Sequence, residues 1–411
     1  MTKSTHTFRR PGLLLCLGIA ASCAWGVRCS AQSAADTASA PDVRHVTGAN
    51  TGFSFRLLRG LMQSQPTGNI FLSPFSISQG LMMTLNGAGT QTQTDMEKTL
   101  GLGASDMDRV NHANGQLLTA LTAPDPDTQL SIANALWGDA RITFAPDFTA
   151  RCKQDYNADV MTLNLAAPAA VESINGWASQ STQGKIPNLV THDDIAGATA
   201  VLTNAVYFHG KWQTPFNKAV TKNAPFHQDA DHSKDVPLMR QAGNLPYLET
   251  PQFQIAALPY GDGHLSLYVL LPQSPATLET LSDSFTAYHW ESTVAAMKPT
   301  FISLALPRFQ AQSHTRLKKP LSDLGMASAF GGGADFAPMG LQGSCISDVI
   351  HAAVIGVDEE GSVAAAATGT SMERGISAAP PSMQVDHPFF IAIRDNITGT
   401  ILFEGIIRDP E

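Results

Sequence analysis

Two clusters in this chain carry side chains that could do chemistry themselves. His192-Asp193-Asp194, and His227 with Asp229, Asp231 and His232, offer the imidazoles and carboxylates that divalent metals bind. Clusters of this kind are more often solvated loops, and no CxxC spacing accompanies them. Patterns for acyl transfer, zinc hydrolysis or phosphate binding are missing, since the chain holds no G-x-S-x-G, H-E-x-x-H or P-loop. Gly331-Gly332-Gly333 does not lie between a strand and a helix, so it reads as a linker. Neither an enzyme nor a metal or cofactor site is expected. The clearer chemical opportunity is chemistry done to the chain. Arg374 is the only basic residue between Glu359 and Met383. A trypsin-like protease, with a carboxylate at the base of its specificity pocket, would cut the Arg374–Gly375 bond.

Upstream of that bond lies Glu359-Glu360-Gly361-Ser362-Val363-Ala364-Ala365-Ala366-Ala367-Thr368. After two acids and a glycine, every side chain is small or uncharged. Such a run can slide between existing strands, because Ser and Thr satisfy their hydroxyls locally and Ala needs no partner. Gly361 lets the backbone pivot without a Cβ clash. In a strand, Ser362, Ala364, Ala366 and Thr368 would share one face, and Val363, Ala365 and Ala367 the other. Four alanines also favour a helix, which is the rival reading.

The termini and composition bound what surrounds this segment. Lys3, Arg9 and Arg10 precede an apolar stretch over 13–21 and then small residues, the order of a secretory signal. Residues 1–31 are read as that signal, with cleavage after Ala24 or Ala31. Lipid anchoring at Cys23 is a minor alternative, because Ala20-Ala21-Ser22-Cys23 lacks the usual Leu. Residues 32–50 are rich in Ala, Ser, Thr and Asp and read as a flexible leader. Secretion or periplasmic export is therefore expected. Beyond residue 31 only Cys152 and Cys345 remain, either as one disulfide or as two buried thiols. A net charge of −9 argues against nucleic acid. Nothing after residue 30 approaches the roughly 18 unbroken apolar residues of a membrane span.

Periodicity then supplies the elements that hold the segment. Apolar spacing predicts helices over 53–61, 76–87, 172–182 and 317–330. Strands are expected over 199–209, 255–258, 265–271 and 300–309, with a hairpin of 389–393 and 401–407 turning through Asp395-Asn396-Ile397-Thr398-Gly399. Asn396-Ile397-Thr398 fits a glycosylation sequon and a hairpin turn equally well. No low-complexity linker divides residues 51–411, so one α+β domain is read.

Several motifs in order carry a family resemblance. They are Asn69-Ile70-Phe71-Leu72-Ser73-Pro74-Phe75-Ser76-Ile77, Ile174-Asn175-Gly176-Trp177, Leu202-Thr203-Asn204-Ala205-Val206-Tyr207-Phe208 through Trp212, Leu258-Pro259-Tyr260, Leu306-Pro307-Arg308-Phe309, and Ser347-Asp348-Val349-Ile350-His351. With the small-residue run and Val385-Asp386-His387-Pro388-Phe389-Phe390, the chain resembles the serpins over roughly residues 50–410.

The resemblance implies three β-sheets, about nine helices and an exposed reactive loop over about 359–383. It implies a suicide inhibitor whose loop is cut as bait and enters the main sheet while the protease is still an acyl-enzyme. About 15 residues at ~3.3 Å each would carry the protease on the order of 50 Å. Glu359 to Thr368 match the family's hinge. Ser73, Ser76, Asn204 and His351 match its polar cluster beneath the main sheet, and Trp212 its aromatic where the loop enters. The scissile bond is placed at Arg374–Gly375. Cleavage near Gly375 or Ile376 by an elastase-like, subtilisin-like or cysteine protease stays open, as does a non-inhibitory serpin scaffold. The expected partner is the target protease, held covalently by a monomer. Asp106 and Asp108 beside Arg109 leave little positive charge where some relatives bind heparin, so no polyanion cofactor is expected.

Overall fold

The computed structural model describes residues 36–123, 125–362 and 380–410. Pro41–Ser64 forms the first long helix, α1. Pro41 opens it where a missing N–H costs nothing. Val43, Val46, Asn50, Phe53, Leu57 and Leu61 recur every three or four residues and are all buried. The flexible leader expected to reach Asn50 is thus corrected. Val43, Val46 and Asn50 extend the buried face of Phe53, a pattern hidden by the polar residues between them.

Next come β1 (Ile70–Leu72), α2 (Pro74–Leu85), α3 (Thr90–Leu100), α4 (Met107–Leu121), β2 (Thr128–Asp139), α5 (Pro146–Tyr156) and β3 (Asp159–Leu163). The middle of the chain holds α6 (Pro168–Ser181), α7 (His192–Ile195), β4 (Ala200–Lys211), β5 (Lys222–His227), β6 (Ser233–Glu249), β7 (Phe253–Pro259) and β8 (Leu265–Pro272). Then follow α8 (Leu278–Ser282), α9 (Ala287–Ala296), β9 (Lys298–Pro307), β10 (Phe309–Arg316) and α10 (Lys318–Leu321). The last strands are β11 (Asp348–Val357), β12 (Gly361–Ser362), β13 (Ser382–Gln384), β14 (Phe389–Asp395) and β15 (Ile401–Ile407).

Two expected elements change form. The strand over 300–309 is divided at Arg308, where β9 leaves one sheet and β10 enters the other. The helix over 317–330 continues only briefly past α10, through a wide turn and then a tighter 3-10 turn. Gly325 interrupts it with φ of 118°, a conformation side chains resist.

The strands make a six-stranded sheet, β10-β11-β4-β2-β3 with β12 on β4, and a nine-stranded sheet, β1-β15-β14-β8-β7-β6-β9-β13 with β5 on β6. The three sheets implied by the resemblance therefore form two hydrogen-bonded units. The 17-residue β6 runs from one part into the other, pairing β7 over 247–249 and β9 over 238–247.

What matters for the site is how β4 and β11 are covered. On one face lies the main core, including α2, all twelve of whose residues are buried. On the other, Ala170, Ile174 and Ala178 of α6 pack with Trp137, Val201, Ala205 and Ile350. Both strands are consequently apolar on both sides, which suits the near-continuous hydrophobic run of β4. In the last hairpin, the Asn396 amide donates to Gly263 O at 2.9 Å and Ser266 Oγ at 2.8 Å, while Tyr268 donates back to its oxygen. Asn396 thus serves the turn. Cys152 and Cys345 are free thiols, and burial pushes the Cys152 thiol up to about 12.

Candidate functional site

β11 and β4 run parallel and are paired from Asp348 opposite Val201 to Val354 opposite Tyr207. His351 and Asn204 face each other at the middle of those seven positions. His351 Nε2 accepts the Ser73 backbone N–H at 3.1 Å, which leaves Nδ1–H to donate to Asn204 Oδ1. The Asn204 amide then donates to Ser76 Oγ and Asn134 Oδ1. Ser73 caps α2 by accepting from Ser76 N–H and donates its own hydroxyl to Leu402 O at 2.6 Å. Ser73, Ser76, Asn204 and His351 are thus one buried, connected network, and it ties β4 to β11 through side chains as well as backbone. Asn134 on β2 joins it, a member that sequence reasoning missed.

Burial, with some repulsion from His314, lowers the His351 imidazole to about 3, so it is neutral at physiological pH. A folded value below the ordinary 6.5 means the stability it contributes is full above pH 6.5 and is lost as pH falls towards 3. Between pH 7.5 and pH 5 the wild-type protein is expected to lose about 2 kcal/mol through this group. His351→Gln should show a correspondingly flatter profile in denaturant titrations at the two pH values. Equal slopes in both proteins would contradict a neutral, buried His351.

Above Tyr207 the two strands separate. After Val357 the chain reverses, with Asp358 Oδ1 accepting the N–H groups of Glu360 at 2.8 Å and Gly361 at 3.3 Å. It then runs back as β12, antiparallel to β4, with Gly361 opposite Lys211 and Ser362 opposite Gly210. A Cβ on Gly361 would lie 2.1 Å from Gly210 O, and its φ is 151°, so glycine is required by contact as well as by conformation. Gly210 has matching constraints, because a Cβ there would meet the Phe208 and Tyr260 rings. Ser362 is fully buried, its hydroxyl 2.9 Å from Tyr260 Oη.

Four side chains clamp this reversal. Arg308 donates to both Glu359 carboxylate oxygens at 2.7 and 2.8 Å, and Thr221 donates to one of them at 2.7 Å. Burial alone would raise the Glu359 carboxyl, but the Arg308 and Thr221 hydrogen bonds outweigh it and hold it below the usual range. Lys218 pairs with Glu360. Trp212 stacks on Tyr260 with centroids 4.4 Å apart and donates from its indole to Asp358 O at 2.8 Å. The expected exposed loop from Glu359 is corrected here. Glu359, Glu360, Gly361 and Ser362 are buried in these contacts, and Met383 is buried in β13. Arg308, Lys218, Thr221 and Tyr260 were not singled out from sequence as loop contacts. Only the buried acids at 359 and 360, which demand cationic partners, could have signalled them.

Val363 to Thr368 and the bond-forming residues Arg374, Gly375 and Ile376 lie outside the described residues. The two His/Asp clusters serve local structure. Asp194 completes a capping box with Thr191 at the start of α7. Asp229 closes a turn by accepting from Asp231 N–H, His232 N–H and the His232 ring. No group of three His, Cys, Asp or Glu among the described residues is arranged to hold a metal. Among those same residues, no helix is long and apolar enough to cross a membrane.

The family model described as "Serpin (serine protease inhibitor)" matches residues 48–410. The chain belongs to the serpin family. Leukocyte elastase inhibitor of Sus scrofa is 35% identical over 384 residues, covering 90% of this chain and all of that protein. Serpin B9 of Homo sapiens is 34% identical over 383 residues, covering 89% and 99% of the two chains. Among solved structures, human thyroxine-binding globulin matches with a TM-score of 0.83 at 26% identity, covering 90% of this chain and 99% of that one. The thermophilic serpin tengpin, in its native state, matches with a TM-score of 0.82 at 27% identity, covering 88% and 94%.

Proposed function

We propose that the protein is a suicide inhibitor that traps a protease as an acyl-enzyme by inserting its cut loop between β4 and β11. The observation that carries this reading is β12. A strand entering from the top and running antiparallel to β4 is also antiparallel to β11, because those two are parallel. Continued in register with β4, each residue steps back by one, so Thr368 meets Asn204 and Met372 meets Ala200, the first residue of β4. Residues 362, 364, 366 and 368 then face the main core, where Ser362 already points, and all are small. Val363 falls on the opposite face, which explains why a larger side chain is tolerable there. The register runs out at Met372, just before Arg374, so a chain cut there is long enough to fill the slot.

In the chemical step, the protease serine Oγ bonds to the Arg374 carbonyl carbon. The Arg374–Gly375 C–N bond breaks, and the Gly375 amine leaves with a proton from the protease's general acid. The ester that remains links protease and stub while the strand inserts. Entry requires the His351–Asn204 contact to open and then re-form across a new neighbour. A trypsin-like target is proposed on Arg374. An elastase-like target cutting Gly375–Ile376 is the second reading, favoured by the relatives named leukocyte elastase inhibitor. Spacing counted from Gly361 also places Gly375 at the cut.

Incubation with a panel of both protease types tests this. A complex that survives boiling in detergent is expected, with a released peptide beginning at Gly375 for the first reading or Ile376 for the second. Cleaved product without complex would leave only a serpin scaffold. Export of the mature chain as a monomer is part of the same proposal. It rests on Lys3, Arg9, Arg10 and the apolar run that follows, and sequencing the secreted N-terminus checks it. Residues 25 or 32 should come first; a lipid-modified Cys23 would support anchoring instead.

A further inference from the structure

We infer that the cleft at the end of β15 is a binding site for a small carboxylate with an apolar body. Its volume is about 600 Å³, within the roughly 300–1,000 Å³ of small-molecule sites. Stretches far apart in sequence close around it: the turn after α1, the β5–β6 turn, the end of β8 with the lead into α8, the residues before β14, and Arg408 with Asp409 after β15. Pro66, Pro272, Ala276, Leu278 and Pro388 give it an apolar wall, and Pro272 and Leu278 are buried.

The polar side is decided by Arg408. Its side chain is 12% exposed, yet among the described residues its only side-chain hydrogen bond runs from Nη1 to Gly68 O at 2.9 Å. Glu279 Oε1 lies 3.6 Å from Nη2, an ion pair but too long for a hydrogen bond. A guanidinium carries five N–H donors, so most of those on Arg408 are left to a ligand or to water. Burial pulls its pKa down, and Glu279 only partly offsets this. The other charged groups on the walls are engaged. His387 places Nδ1 2.8 Å from Asp386 Oδ1 and Nε2 2.9 Å from Pro272 O, so neither nitrogen is free. Asp229 accepts from its own turn and from the His232 ring, and Asp409 pairs with Lys234. Glu279 is the exception, with a side chain 65% exposed that can swing into water. A ligand carboxylate would take its place at Arg408 and make the bidentate, charge-assisted contact that Glu279 does not. The body of the ligand would then cover Pro272, Leu278 and Pro388. A ligand cation is disfavoured, because Arg408 is fixed in the wall and Glu279 is not.

This inference does not depend on protease trapping, since binding is read on the intact protein alone. Octanoate, octanol and octylamine share a chain length and differ in charge, and titration calorimetry ranks them. Octanoate is expected to bind at least about tenfold more tightly than either of the others. Arg408→Gln should weaken octanoate by a similar factor, with a melting curve to show that the variant is folded. Glu279→Gln, a change at an exposed side chain, should tighten octanoate about two- to threefold, because it removes the competing carboxylate. That gain also locates the site, for an amphiphile bound elsewhere would not feel Glu279. Octanol binding as well as octanoate, or octanoate indifferent to Glu279→Gln, would overturn the proposal even if Arg408→Gln failed to fold. Phenylbutyrate against octanoate distinguishes an aryl from an alkyl body, and binding by neither would overturn it as well.

Discussion

Ser362→Arg is expected to turn the inhibitor into a substrate, with little detergent-stable complex and the loop still cut at the wild-type rate. Ser362 is wholly buried, opposite Gly210 and against the Tyr260 hydroxyl. An arginine there would place its charge beside the buried Tyr260 ring, and leaving a buried charge unpaired costs about 3–5 kcal/mol. That cost falls on the inserted strand and on β12, not on the distant scissile bond. The two-residue β12 can detach to relieve that cost before cleavage, whereas the inserted strand must carry it, and because trapping is a race between insertion and release of the protease by water, slower insertion changes the outcome. The number of inhibitor molecules consumed per protease inactivated should rise at least about tenfold, as 3 kcal/mol corresponds to more than a hundredfold in an equilibrium. Ser362→Ala, which keeps the volume and removes only a hydroxyl, should remain an inhibitor. Unchanged complex yield from Ser362→Arg would mean that trapping does not depend on burying residue 362 in the sheet.

Arg308→Ala is expected to cost about 3 kcal/mol, because it strips two charge-assisted hydrogen bonds from a carboxylate with almost no access to water. Thr221 alone cannot replace them. At roughly 2 °C per kcal/mol for a chain of this size, the melting temperature should fall by about 6 °C. The pH dependence identifies the partner. Glu359 titrates below the usual carboxylate range in the folded protein, so its contribution is present above about pH 4.5 and is lost as pH falls below it. The gap between wild type and Arg308→Ala should therefore be widest near pH 7 and close at the acid end. A gap that stays constant down to pH 3 would assign the loss to Arg308 packing instead of the ion pair.

The parts of this site legible in the sequence were those whose residue types are demanding. A run of small residues after Gly361 announces burial without bulk, whereas His351 and Asn204 were placed in a polar cluster only by the family resemblance. The partners of Glu359 and Glu360 were not legible, because Arg308, Lys218 and Thr221 come from a sheet crossover and a loop distant in sequence. The same holds for Asn134, which reaches the network only through the β2–β4 register. Among the elements, β4 was found by its continuous apolar run, whereas β6 was missed. Its burial alternates irregularly because it serves two sheet segments in turn. The start of α1 was missed for a related reason: Val43 and Val46 are too sparse among polar residues to mark a buried face.

Thermal unfolding before and after a single cut in the loop tests the central claim most directly. A strand that gains neighbours on both sides along β4 and β11 adds hydrogen bonds worth about 0.5–1.5 kcal/mol each, on the order of ten kcal/mol in all. The nicked protein is expected to melt at least about 15 °C above the intact one. A melting temperature unmoved by cutting would mean that β12 is as far as the loop ever goes.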